Sequence, residues 1–308
     1  MRLSDEQMAM ALMQLRSELT TGRYTAFCLQ QGFLPVPIHF YHPIPDVGDL
    51  VERDVWATCS ELPGVDFRAD DQKDLLLSLG AQFGDECAWP ATVDAESNGF
   101  FTDNGSFSFG CAGSTHMMVR HHRPRHVIEI GSGMSSRVIA KALELNGAGE
   151  HTIVDPYPVE AAVTRGVGER TTLVKERVEL LEPSFFDKLG SGDILFIDSG
   201  HVVRIGGDVN FLFLEVIPRL QPGVVVHVHD IPMPDEYPRS YATSSTPMFW
   251  TEQYLLKAFL AFNSEFEVLL AMAFLQSRHL DVFRRAFPHY DPAADKLGSG
   301  SFWMRRRT

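Results

Sequence analysis

The stretch His126-Val-Ile-Glu-Ile-Gly-Ser-Gly-Met-Ser135 restricts the chain to few architectures. Val127, Ile128 and Ile130 make the short apolar run of a strand buried on both faces. Gly131 and Gly133 permit unusual backbone angles and a close approach by a ligand, and Glu129 is expected to face the crevice. Val138, Ile139, Ala142, Leu143 and Leu145 then recur at helical spacing from Ser135 to Asn146, and Gly147 and Gly149 end that helix. A second strand, His151-Thr-Ile-Val-Asp155, follows. Strand, glycine turn, crossover helix and strand make an α/β unit whose ligand sits at the strands' carboxyl ends.

Asp155 lies about twenty residues beyond the glycines, where a carboxylate accepts hydrogen bonds from ribose hydroxyls. A nucleoside site is therefore expected. The dinucleotide fingerprint wants Gly or Ala three residues after the second glycine, and Ser136 stands there, which weakens a pyrophosphate reading.

With these residues in place the chain resembles the class I S-adenosylmethionine-dependent methyltransferases. Glu129-Ile-Gly-Ser-Gly133 is similar to their first motif, and Asp155 to the acid closing their second strand. Ile194-Leu-Phe-Ile-Asp-Ser-Gly-His201, Val224-Val-Val-His-Val-His-Asp-Ile231, Trp250-Thr-Glu-Gln-Tyr254 and the upstream Tyr41-His-Pro-Ile-Pro-Asp46 resemble a bacterial branch, the methyltransferase-24 type. The resemblance implies a Rossmann-like, seven-stranded, mostly parallel sheet with helices on both faces. It also implies S-adenosylmethionine as cofactor, with Glu129, Gly131, Ser132, Gly133, Asp155 and Asp198 on the cofactor side.

Composition agrees. A chain of 308 residues with 44% hydrophobic content can bury a sizeable core. The net charge of −13 argues against a nucleic-acid partner, because polyanion binding needs basic clusters. Arg305-Arg-Arg307 is read as a solvated tail ending a strand. Cys28, Cys59, Cys87 and Cys111 have neither disulfide-framework nor zinc spacing and are read as reduced. The first residues carry charges where a signal peptide needs an apolar core, and no apolar run reaches the roughly 18 residues of a span. A cytoplasmic protein without membrane partners is expected.

Two regions are expected: an N-terminal helical and loop cap over residues 1–115, and the nucleoside-binding domain over 116–308. The cap opens with a helix from Ser4, with Gln7 completing a capping box and Met8, Leu12, Met13, Leu15 and Leu19 as an apolar stripe, read as a packing or homodimer surface. A proline-rich connector follows at 33–45, then a helix over 69–83 and a loop over 97–113. Phe100, Phe101, Phe107 and Phe109 in that loop either wall a substrate pocket or pack the core. Further strands are expected at 171–174, 193–197, 224–228, 266–275 and 301–304, with a helix over 249–262.

Polar residues at the strand ends carry the chemistry. Asp198 and His201 follow the fourth strand, and His229 and Asp230 the fifth. Methyl transfer to a hydroxyl needs alignment and removal of the acceptor's proton, a task suited to an imidazole with an ordinary pKa of about 6.5. His201, His229 and Asp230 are the catalytic candidates. His201 is the preferred base, because Asp198-Ser-Gly-His201 is an open strand-to-loop turn. His227, two residues before His229, is read as a buried, hydrogen-bonded partner beneath it. No metal is expected; were one held, Asp198, His229 and Asp230 would be its ligands. Residues 232–250, rich in proline and aromatics, read as a substrate lid; Glu252 and Tyr254 lie within reach of the pocket, and Glu176 reads as an exposed turn.

The expected activity is methyl transfer from S-adenosylmethionine to a hydroxyl or amine of a small molecule. A nicotinamide-dependent oxidoreductase on the same fold is the chemical rival, and a binding or assembly protein without catalysis is the other.

Overall fold

The computed structural model describes residues 4–92, 99–158 and 167–307; residues 97 and 98 of the expected loop lie outside them. Its centre is a seven-stranded sheet in the order β3-β2-β1-β4-β5-β7-β6. The strands are β1 His126–Ile130, β2 Glu150–Val154, β3 Thr171–Val174, β4 Ile194–Ile197, β5 Val225–Val228, β6 Phe266–Ala271 and β7 Phe302–Arg306. β1 to β5 run parallel, and β7 runs antiparallel between β5 and β6. The sheet is thus Rossmann-like and mostly parallel, as expected.

Alternation along each strand divides the core between the two faces. Val127, Phe196 and Trp303 pack with helices Ala69–Phe83, Phe109–His122, Met134–Asn146 and Leu280–Ala286. Ile128, Ile130, Ile197 and Val228 face the opposite layer, where Val209, Leu212, Phe213 and Leu256 cover them. The strand order reverses between β1 and β4, so a crevice opens at their carboxyl ends. Among the described residues no helix is long and apolar enough to cross a membrane.

The Phe109–His122 helix was not expected; the sequence reads as a loop there. Ser108 caps it by accepting from the Cys111 amide, and every residue from Phe109 to Val119 is buried. A helix covered all round shows no apolar stripe, so periodicity cannot reveal it. Gly113 allows a close approach, since a Cβ there would lie 2.3 Å from the Phe287 ring. The expected boundary at 115/116 falls inside this helix. Phe100, Phe107 and Phe109 are buried in the core, which decides their reading for packing, whereas Phe101 is half-buried.

Two other expectations shift. The apolar run at 266–275 is a strand only to Ala271, and a helix begins at Met272. The C-terminal arginines are not the solvated tail that was expected: Arg305 and Arg306 lie within β7 and are half-buried, with the Arg305 Nε 2.8 Å from Glu267 Oε1, and Arg307 is exposed beyond the strand. The N-terminal helix, Asp5–Thr20, has the expected Ser4–Gln7 capping box, and Met10, Leu12 and Met13 on it are exposed in the single chain.

Candidate active site

The carboxyl ends of β1 and β4 are locked side by side. The Asp198 amide donates to the Ile130 carbonyl (2.9 Å) and the Gly131 amide to the Val154 carbonyl (3.0 Å). Gly131 has φ +89°, and a Cβ there would lie 2.1 Å from the Asp198 carbonyl oxygen. Only glycine meets both demands. At Gly133 a Cβ would meet nothing within 4 Å, so the space above the turn is open.

The turn residues Gly131 and Ser132 line a cleft of about 710 Å³ whose walls also include Asp155, Tyr157, Asp198 and Gly200. Asp155 stands directly after β2. Ser132 Oγ donates to its Oδ2 (2.5 Å) and the Tyr157 amide to its Oδ1 (2.8 Å). A carboxylate has about four acceptor positions, so two remain for hydroxyls of a ligand.

Glu129 does not face this cleft, contrary to expectation. Its side chain is fully buried on the other side of the β1 loop, where Ser135 Oγ donates to Oε1 (2.6 Å) and Oε2 lies 2.8 Å from His151 Nε2. Its position one residue before the end of β1 puts it on the same helix-covered face as Val127, and a buried acid needs partners there. Ser135 and His151 were not singled out in the sequence. The register that pairs His151 with Val127 brings it to the strand beside Glu129. Glu176 is exposed, and Arg177 and Glu179 line the cleft instead.

Beyond Asp198 the ends of β4 and β5 gather a second constellation. His201 Nε2 lies 3.4 Å from Asp198 Oδ1 and 3.6 Å from Asp230 Oδ2, while its Nδ1 lies 2.9 Å from Glu252 Oε2. Both His201 and Asp230 sit at φ +56°, a left-handed conformation that costs energy for non-glycine residues and recurs at functional sites. The Thr251 and Glu252 amides donate to the His201 carbonyl (2.9 and 3.1 Å), which pins the loop.

These surroundings decide the state of His201. Burial disfavours its charged form, but the hydrogen bonds to Asp198 and Glu252, with their charges, outweigh it and raise the pKa to about 10. Burial works against the Asp198 carboxylate too, yet His229 and His201 hold its pKa well below the ordinary value. Burial raises that of Glu252. An imidazole that keeps its proton at neutral pH is a poor proton acceptor, so the preference for His201 as base meets an electrostatic objection.

His229 is placed differently. It is buried against Phe107 (ring centroids 5.0 Å apart), and neither ring nitrogen has a hydrogen-bond partner among the described residues. Nδ1 lies 3.8 Å from Asp198 Oδ2 and Nε2 3.9 Å from Asp230 Oδ1. His227 lies beneath it as expected, fully buried, stacked on Phe196 and 2.9 Å from Ser301 Oγ.

One ligand atom each from Asp198, His201 and Asp230 lies within 4.8 Å of the others, a spacing that suits a cation. The convergent set therefore contains His201 where the sequence suggested His229. From the 232–250 segment Trp250 reaches the site, its ring 4.3 Å from that of His201. Tyr254 points elsewhere, its hydroxyl donating to Glu236.

The sequence model of a family described as "Methyltransferase domain" matches residues 128–231. An uncharacterized protein of Archaeoglobus fulgidus is 28% identical over 162 residues, half of this chain and 72% of that one. Among solved structures, the O-methyltransferase TomG of Streptomyces achromogenes, in complex with SAM, is similar at 18% identity and TM-score 0.39, with 76% of this chain and 89% of that one covered. An O-methyltransferase of Bacillus cereus, in complex with SAH, shows 13% identity and TM-score 0.40, with 76% and 90% covered.

Proposed function

We propose that residues 128–231, which match the methyltransferase-domain family, belong to a domain of the class I, S-adenosylmethionine-dependent kind, and that the protein methylates an oxygen of a small-molecule acceptor held at the ends of β4 and β5. The observation that carries this reading is the position of Asp198. It lines the cleft beside Gly131 and Asp155, and its carboxylate also faces His201 and His229. Cofactor and acceptor would share that wall, which is what in-line transfer requires.

The residues of the cleft fit the cofactor. The open space above Gly133 admits a ligand backbone, and the free acceptor positions of Asp155 suit ribose hydroxyls. Bound there, S-adenosylmethionine supplies a sulfonium-activated methyl group. His229 takes the acceptor's proton, having two buried nitrogens with no partner to give up. His201, charged and held by Glu252, fixes Asp198 and Asp230 and balances their charge. Trp250 covers His201 and keeps water from the reacting centre.

Calorimetry with S-adenosylmethionine, S-adenosylhomocysteine and NAD tests the cofactor. Both sulfur nucleosides should bind and NAD should not. Asp155→Ala and Gly133→Val should each lose at least about tenfold in affinity, roughly 1.4 kcal/mol, with unchanged melting, because the Cβ space at residue 133 is empty. Undiminished binding in both variants would remove the nucleoside from this cleft.

A second reading adds a divalent cation, favoured by the convergence of Asp198, His201 and Asp230 and by the unpartnered nitrogens of His229 beside them. Such an ion would act as a Lewis acid that lowers the acceptor hydroxyl's pKa. Titration of the wild type with Mn²⁺ should then give binding that weakens at least about tenfold in Asp230→Asn; absence of binding to the wild type rejects the ion.

A further inference from the structure

Trp250 is shared between two environments. One side of it lies against His201, and it also lines a pocket of about 390 Å³ together with Pro43, Pro45, Trp56, Tyr237 and Tyr241. The N-terminal connector supplies the prolines, the chain beyond it Trp56, and the 232–250 segment the two tyrosines and Trp250. The rings stand at steep angles: Tyr241 meets Trp250 at 78° with centroids 4.9 Å apart, and Tyr237 meets it at 82° and 6.1 Å. They form the corner of a slot.

The polar ends of these side chains are largely committed elsewhere. Trp56 Nε1 donates to the Tyr237 carbonyl (2.9 Å), and the Tyr237 hydroxyl accepts from the Gln253 amide (3.0 Å). Tyr254 donates its hydroxyl to Glu236, and the Arg53 guanidinium, also on the wall, is held by Asp49 at 2.6 Å. What remains for a ligand is mainly ring face and proline. A polyhydroxylated acceptor would leave buried hydroxyls without partners. A flat ring would lose nothing and would gain offset or edge contacts with the tyrosines and Trp250. Trp250 joins the slot to the acidic cluster, since its ring lies against His201, whose Nε2 is 3.6 Å from Asp230 Oδ2.

On the methyltransferase reading above, we propose that the acceptor is an aromatic hydroxyl compound: its ring occupies the slot between Trp56, Tyr241 and Trp250, and its hydroxyl is directed past Trp250 to His229 and Asp230. The slot sets substrate class and the cluster sets reactivity. An aliphatic or sugar acceptor of the same size would find the cluster without the means to be held there.

The test uses naphthol and its saturated counterpart decahydronaphthol, with binding read by saturation-transfer NMR in the presence of S-adenosylhomocysteine, whose own binding is read by calorimetry. Naphthol should bind about tenfold more tightly than the saturated compound. Tyr241→Leu and Trp56→Leu should each weaken naphthol binding about fivefold with S-adenosylhomocysteine affinity unchanged, and Tyr241→Phe should restore it. Equal binding of the two compounds, binding of neither, or naphthol affinity indifferent to both leucine variants overturns the proposal. Ring-selective binding without any binding of S-adenosylhomocysteine supports the slot and overturns the methyltransferase reading instead.

Discussion

Gly131→Ala should unfold the protein several degrees below the wild type and abolish cofactor binding, the largest stability loss expected of any single methyl group in the site. Two penalties coincide. The residue sits at φ +89°, where a side chain costs about 1–3 kcal/mol. The new Cβ would also lie 2.1 Å from the Asp198 carbonyl, a backbone atom that cannot rotate away, and overpacking of this kind costs about 1–3 kcal/mol more. A total of about 2–6 kcal/mol is a large part of the roughly 5–15 kcal/mol that holds a domain together. Relief would have to come from pushing β4 from β1, which breaks the Asp198–Ile130 hydrogen bond and moves the wall shared by both halves of the site. Urea midpoints with unchanged slopes measure the loss. A midpoint within about 0.5 kcal/mol of wild type would show that the turn is plastic, and the tight junction could no longer explain how Asp198 is placed.

The same junction explains what the sequence could tell. The β1 turn, its helix and β2 were readable to within a residue, because their apolar spacing, glycines and closing acid all point to one structure. β3, β4 and β5 are short apolar runs bounded by turn residues and were equally plain. The Phe109–His122 helix was hidden because it is buried on every side, and a Ser- and Gly-rich approach looked like loop. The helix at Met272 was hidden because hydrophobicity continues unbroken from β6 while the backbone changes. Asp155, Asp198, His201, His229 and Asp230 were expected at the ends of parallel strands, and the structure puts them just after β2, β4 and β5. Glu129 was misread. Its side chain is assigned by the pleat, which turns it to the covered face, and only the pairing of β1 with β2 shows that His151 is there to meet it. The surroundings that set the two histidines apart were beyond reach as well: His201 has Glu252, fifty-one residues away in the chain and 2.9 Å away in space, and His229 has no such hydrogen-bond partner among the described residues.

That difference between two histidines leads to the second large effect. His229→Asn should lower turnover by about 10²–10⁴-fold, the usual range for loss of a proton acceptor, while affinity for S-adenosylhomocysteine stays as in the wild type. Asparagine is smaller but keeps a planar polar group at the Cγ position beside Phe107, so the fold should be retained. His201→Gln should behave differently. It removes the cation that holds Asp198, Asp230 and the buried Glu252 together, and breaking such a cluster from one side costs about 3–5 kcal/mol. Melting temperature should therefore fall in His201→Gln and not in His229→Asn, whereas turnover should fall in both. Comparable turnover in wild type and His229→Asn would take the proton away from His229. Metal-dependent activity surviving in that variant would then assign acceptor activation to an ion among Asp198, His201 and Asp230, since those three ligands remain in place when His229 is gone.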